Sequence, residues 1–335
     1  PAQEYGKWQM PANLVRAHNG ELVLYFSASE GYSDTPSYYL TYSSDNGRTW
    51  SKPDLWWKKT DIWTGEHRVI HVFPDGSLKC IVFTDGVSKA EIMETFDNGR
   101  NWTEPKSIAL KKIPASVEKL YIGPQAFINM SDGSVLMLTY GSIGTKIPDT
   151  DIHSWGSMHC QAFVCKSTDN GYTWSEFNNI DGITDPNSGK KVSGNMDFTE
   201  ICGVQSGDGS VIAFIRPIYS PWMWEARSPD GGKTWEPSVR GPFPGYATPN
   251  MVRTKSGYML VAHRLPGLTA DISLDDGKTW THAAMIDSGI WAMGCMLEIE
   301  PDVVLYIYWD SHESLMRAQY IKVTSKGIEP IRYNL

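Results

Sequence analysis

The chain has 335 residues, 41% of them hydrophobic and 20% charged, with a formal net charge of −8. That is ample apolar material for a buried core, and the lack of any dense Lys/Arg run excludes the basic footprint that nucleic-acid binding requires. No stretch approaches the roughly 18 consecutive apolar residues of a membrane helix, and no charged-then-apolar signal segment opens at Pro1.

In chain order, two signals alternate. The first is a hairpin turn between apolar strands, at Asn19-Gly20, Asp75-Gly76, Asp132-Gly133, Asp208-Gly209 and Ser256-Gly257, with a degenerate sixth at Pro301-Asp302. The strand after each turn alternates or runs apolar, from ELVLYFSA near the start to VVLYIYWD near the end. The second is an octet of the form S/T-x-D-x-G-x-T/N-W, found five times: SSDNGRTW from Ser43, TFDNGRNW from Thr95, STDNGYTW from Ser167, SPDGGKTW from Ser228 and SLDDGKTW from Ser273. In each octet the Asp carboxylate accepts backbone N–H bonds, the Gly supplies a positive φ and the Trp buries its ring as the next strand starts. Asp45, Asp97, Asp169, Asp230 and Asp275 are therefore read as structural.

Six hairpins and five octets at a regular spacing predict a repeat protein. The fold class is all-β, a six-bladed β-propeller with four-stranded antiparallel blades. The sixth blade, which lacks an octet, is expected to be completed by strands from both chain ends, leaving no exposed sheet edge. No long helical periodicity and no linker interrupt residues 1–335, so one domain is expected. Segments 141–158 and 176–197 read as loops. Cys80, Cys160, Cys165, Cys202 and Cys295 form no CxxC pair and sit mostly in apolar runs, as buried free thiols do.

Propeller geometry then locates a site. The hairpins and octets share one face, so the opposite face carries the starts of innermost strands and the ends of second strands, and a ligand site on the axis must be built there. Innermost strands are expected to begin near Gln9, His67, Tyr121, Glu200, Tyr246 and Trp291. Second strands end at Ser27, Phe83, Tyr140, Arg216, Arg264 and Trp309. Arg216 and Arg264 fall at equivalent positions of neighbouring blades and suggest a planar anion clamp. Glu200, leading into an otherwise apolar strand, is costly unless paired or used; it is read as catalytic, with an ion pair to Arg216 as the alternative.

These residues carry a family resemblance. The octet resembles the Asp box of the sialidase (neuraminidase) superfamily, a group of Asp-box, BNR-repeat propellers. The segment TEICGVQSGDGSVIAFIRP followed by ARSPDGGKTW is similar to the sialidase blade in which a Glu precedes a hairpin and an Arg follows it. The resemblance implies that Glu200 is the general base and Arg216 one arginine of a carboxylate-binding triad. HRLPGLTADISLDDGKTW likewise implies Arg264 as another, and GYSDTPSYYLTYSSDNG resembles the loop holding the acid/base Asp, for which Asp34 stands. Two departures follow. Gln9-Met10-Pro11 stands where the family has Arg-Ile-Pro, and Ser288–Ala292 offers no Tyr where the nucleophile is expected. Tyr121 and Tyr246 are the substitutes available from other blades.

The expected function is thus a sialidase-like exo-glycosidase that cleaves a terminal acidic sugar from a glycan. Glu200 and Asp34 would be catalytic, by an inverting route without tyrosine. Arg216, Arg264, Gln9, His67 and Tyr121 would bind substrate, with Trp291 and Trp309 as a stacking wall. Two alternatives stand beside it: a lyase on a uronate-containing glycan, drawing on His67, His263, Tyr121 or Tyr140 to move protons, and a non-catalytic glycan-binding propeller. No metal or organic cofactor is expected, since no HExxH, nucleotide-binding glycine loop or cysteine cluster occurs. The partner is a carbohydrate, and the resemblance implies a secreted or periplasmic protein.

Overall fold

The structure, a computed structural model, describes residues 3–31, 34–58, 67–83, 89–142, 160–180, 183–184, 191–192, 197–218, 220–289 and 294–331. Six four-stranded antiparallel sheets follow one another along the chain. Blade one is Trp8–Arg16, Leu22–Ser29, Ser37–Ser43 and Asp54–Lys58. Blade two is His67–Val72, Leu78–Phe83, Ala90–Thr95 and Lys106–Ser107. Blade three is Lys119–Asn129, Val135–Ser142, Cys160–Ser167 and Thr173–Asn179, with the short strand Ala109–Leu110 added in parallel to its edge. Blade four is Phe198–Gln205, Val211–Pro217, Trp222–Ser228 and Val239–Pro244. Blade five is Tyr246–Arg253, Met259–Arg264, Leu268–Ser273 and Thr281–Asp287. Blade six is Gly294–Glu300, Val303–Asp310, Leu315–Thr324 and Gly327–Ile331. The molecule is a six-bladed propeller. A 3-10 turn over Gln3–Tyr5 is the sole helical element among the described residues, and no helix there is long and apolar enough to cross a membrane.

Every hairpin joins the first and second strands of a blade, and every octet joins the third and fourth. The octets form one repeated turn. In the first, Gly47 N–H donates to Ser43 Oγ (2.8 Å), Thr49 N–H donates to Asp45 Oδ1 (2.9 Å), and Trp50 Nε1 donates to the Gly47 carbonyl (3.0 Å). The residue before the glycine is left-handed in four of the turns: Asn46, Asn98, Asn170 and Asp276 have φ between 55° and 61°, a conformation that Asn and Asp tolerate better than other side chains. A Cβ on Gly47 (φ 87°) would lie 2.5 Å from Leu305 Cδ2 of blade six, so this turn also needs a glycine for packing.

These turns carry a pH consequence. Hydrogen bonds from the turn's Thr or Asn and from backbone N–H groups hold Asp45, Asp97, Asp230 and Asp275 at about 2, below the ordinary 3.8. A depressed carboxylate contributes stability that is fully present above the unfolded value and is lost as pH falls through the folded one. Urea midpoints should therefore hold steady above pH about 5 and decline between about 4 and 2. Removing one turn by Asp97→Asn should make that decline shallower. An unchanged pH profile in the variant would contradict the assignment.

The sixth blade differs from expectation. Among the described residues it is built wholly from 294–331, and no strand from the chain start joins its sheet. A tight turn between Thr324 and Gly327 replaces the octet, so a local hairpin supplies the fourth strand. The ring closes by packing instead. Leu14, Leu22, Leu24 and Phe26 of blade one meet Cys295, Ile299, Leu305 and Ile307 of blade six. Arg16 Nη2 donates to the Ile299 carbonyl (2.8 Å), and Asn46 Nδ2 donates to Glu300 Oε1 (3.1 Å). Most of 141–158 and much of 176–197 lie outside the described residues; within the second, 176–179 are the end of a blade-three strand. All five cysteines are buried and free.

Candidate active site

The end of the propeller opposite the hairpins gathers irregular strands. Bulges or register shifts fall between Phe198 and Ile201 and between Tyr246 and Asn250, each at the site end of an innermost strand, and between Ile122 and Phe127 midway along that of blade three. Such breaks re-aim side chains that a regular ladder would hold in alternation. In blade four the break spans Glu200, and in blade five it starts at Tyr246, followed by Ala247 at φ 53°.

Four of the residues singled out in the sequence converge there, Glu200, Arg216 and Arg264 with Tyr246 between them. Arg216 Nη1 donates to Glu200 Oε2 (3.0 Å), and its Nη2 donates to Tyr246 Oη (2.6 Å). The Tyr246 ring sits beside both guanidiniums, with its centroid 4.2 Å from Arg216 Cζ and 6.0 Å from Arg264 Cζ. Tyr246 and Arg264 are cross-strand partners within blade five, and the Arg216–Tyr246 hydrogen bond joins that blade to blade four at the site. Glu200, Arg216 and Tyr246 are half-buried and Arg264 is buried. Burial works to lower the Arg216 pKa, but the charge and hydrogen bonds of Glu200 and Tyr246 outweigh it and the net shift is upward. At Arg264 burial prevails over the attraction of Glu200, and the net shift is downward. A guanidinium remains protonated in either case. As a set, Glu200, Arg216 and Arg264 carry an excess of one positive charge in a recessed place, which is an environment for an anion.

The Arg216 fork is divided between Glu200 and Tyr246, so the ion pair weighed as the alternative for Glu200 is present, and Arg216 does not stand open as one arm of a clamp. Tyr140 stacks on Tyr121 (5.1 Å between centroids, 13° between planes). Burial first, and the Glu200 charge second, hold the Tyr140 phenol well above its ordinary pKa, which keeps it a proton donor in the wall beside Glu200. Asp197, a residue that carried no signal in the sequence, is buried and accepts the Cys160 backbone N–H (3.0 Å), tying blade three to the start of blade four.

The remaining expected site residues are placed as follows. Asp34 is exposed on the loop between the second and third strands of blade one, its N–H donating to the Gly31 carbonyl (3.1 Å). Tyr121 is buried against Tyr140 and Cys160. Gln9 was expected to face the axis; it is fully buried, with its amide donating to the Gly6 carbonyl (2.8 Å). Trp309 was expected as a stacking wall; it is buried and tilts against Trp8 at 4.1 Å between ring centroids. His67 opens the innermost strand of blade two, and its side chain lies outside the described residues, as does Trp291 altogether. His263, raised for lyase chemistry, points away from the site into the interface of blades four and five.

The model of the BNR repeat-like domain family matches residues 69–300. No curated protein matches the chain. Among solved structures, a protein of unknown function from Dyadobacter fermentans aligns with a TM-score of 0.68 at 16% identity, covering 97% of this chain and 96% of that one. A Hadza microbial sialidase aligns with a TM-score of 0.72 at 17% identity, over 94% of this chain and 66% of that one, so this chain spans just under two-thirds of that enzyme's length. An α-L-arabinofuranosidase from Fusarium graminearum aligns with a TM-score of 0.62 at 14% identity, over 95% and 94%. At such identities the likeness is one of fold, and glycoside hydrolases recur among the proteins that share it.

Proposed function

This chain belongs to the BNR repeat-like family within the sialidase superfamily, and from that premise we propose that it is a glycoside hydrolase releasing a terminal acidic sugar from a glycan. One observation carries the reading: Glu200, Arg216, Tyr246 and Arg264 meet at the site end of blades four and five. Their excess positive charge suits one carboxylate.

In the first mechanism Glu200 activates a water molecule that attacks the anomeric carbon. Asp34, on the loop between the second and third strands of blade one, protonates the leaving oxygen as the glycosidic bond breaks. Such inverting pairs work at a separation of about 6.5–9.5 Å. A second mechanism is favoured by the 2.6 Å contact between Arg216 and Tyr246 Oη. A guanidinium beside a phenol oxygen stabilises the developing phenolate. Tyr246 Oη would then attack the anomeric carbon as its proton passes to the Glu200 carboxylate, and Asp34 would protonate the leaving group. Water, giving its proton to the Asp34 carboxylate, would hydrolyse the glycosyl–tyrosine with retention as Glu200 returns the proton to the phenol oxygen.

A screen of sialic acid, related keto-sugar acid and uronic acid glycosides, with anomer-resolved NMR of the product, tests both. Inversion supports water attack by Glu200, and retention supports Tyr246. Cleavage of α-L-arabinofuranosides alone would replace the acidic sugar by a neutral pentose. An unsaturated, ultraviolet-absorbing product would mean a lyase, and saturable binding without turnover a glycan-binding module.

A further inference from the structure

The interface between blades four and five is apolar, formed by residues such as Ile212, Phe214, Met223, Met251 and Val261. One polar pair is built into it. His263 and Asp271 are 1% and 3% exposed, and His263 Nε2 lies 2.7 Å from Asp271 Oδ2. The imidazole stacks parallel to Phe243, with 1° between the planes and 5.0 Å between centroids. Its Nδ1 lies 3.4 Å from the carbonyl oxygen of Arg264. Both ring nitrogens face oxygen acceptors. Asp271 has one further neighbour, the exposed His282, whose Nδ1 is 3.8 Å from Oδ1.

Burying such a pair among apolar side chains is unfavourable, and apolar replacements are often neutral or stabilising. Its position explains its presence better than its energy does. A Cβ on Gly245 would lie 2.9 Å from His263 Nδ1 and 2.8 Å from Met223 Cγ, so the backbone runs directly over the imidazole. Gly245 is anchored there by its N–H to the Pro221 carbonyl (2.9 Å), and Tyr246 follows it. One ring therefore supports both arms of the site: the backbone leading into Tyr246 and the carbonyl of Arg264.

We propose that the His263–Asp271 pair is a positioning device that sets Tyr246 and Arg264 for the ligand. His263 is a positioning residue that does not touch the substrate. The inference rests on the proposed reading of the site, and its test has a readout independent of turnover. In a His263→Phe/Asp271→Leu double variant the stacking on Phe243 and the interface volume are kept while both polar contacts are lost. The double variant should keep its thermal unfolding temperature, yet shift the 19F resonance of 3-fluorotyrosine placed at position 246. With 4-methylumbelliferyl N-acetylneuraminide or the corresponding glucuronide as probe, kcat/KM should fall roughly 100-fold, as expected for misplacement by about 1 Å. Gly245→Ala, which pushes the same backbone, should move the resonance too. If the double variant does not fold, Asp271→Asn carries the test with the same expectations. A folded variant with the wild-type resonance overturns the proposal. If wild type turns over neither probe, the resonance still decides positioning, and only the functional reading falls.

Discussion

Glu200→Gln is expected to lower turnover of an acidic glycoside by about 10²–10⁴-fold, the range that a positioned general acid or base supplies, while leaving the propeller folded. The amide is nearly isosteric and still offers an oxygen to Arg216 Nη1, now 3.0 Å from Oε2. What it loses is the charge and the capacity to take a proton. The side chains of Arg216 and Glu200 are 15% and 25% exposed, so their ion pair is screened in part. Its loss should cost roughly 1–2 kcal/mol, less than the full penalty of a fully buried pair. The measurement is kcat at saturating probe alongside a urea titration. Full turnover with reduced stability would make Glu200 a structural partner of Arg216 and no more.

What could be read in advance was local. The hairpin dipeptides and the octets hold their meaning within eight residues, so blade order, strand pairing and the shared face of the turns followed from them. The fourth strand of blade six did not, because the turn at Ser325-Lys326 has no octet and its pairing partner is known only once the sheet exists. Side-chain direction at the site was also out of reach. A bulge of one residue turns a side chain to the other face, and the breaks at Glu200 and Tyr246 carry no marker in the local sequence. Gln9 and Trp309 were placed correctly near strand ends, but packing against Gly6 and Trp8 buries them. Arg216 and Arg264 were visible as equivalent positions. That Tyr246 would take half of the Arg216 fork depends on a contact across 30 positions of chain.

The octet tryptophans should not be equivalent, and Trp174→Ala should be the most damaging change among them. Trp174 is fully buried, between blades two and three, with Phe127 5.6 Å away and Phe73 and Phe163 in the same cluster. Its Nε1 donates to the Gly171 carbonyl (2.9 Å). Truncating a fully buried tryptophan costs about 3–5 kcal/mol through lost transfer energy and the cavity left behind. Trp50, which makes the same bond to Gly47 at 3.0 Å, is only half-buried and should cost clearly less. The difference has a structural source. The strand Ala109–Leu110 pairs in parallel with Thr173 and Trp174, and Lys111 N–H donates to the Trp174 carbonyl (2.7 Å), sealing this octet where the others meet solvent. Urea midpoints at constant m-value separate the two variants. If Trp50→Ala destabilised as much as Trp174→Ala, the added strand would contribute nothing to the burial, and the ranking of the blades by closure would be wrong.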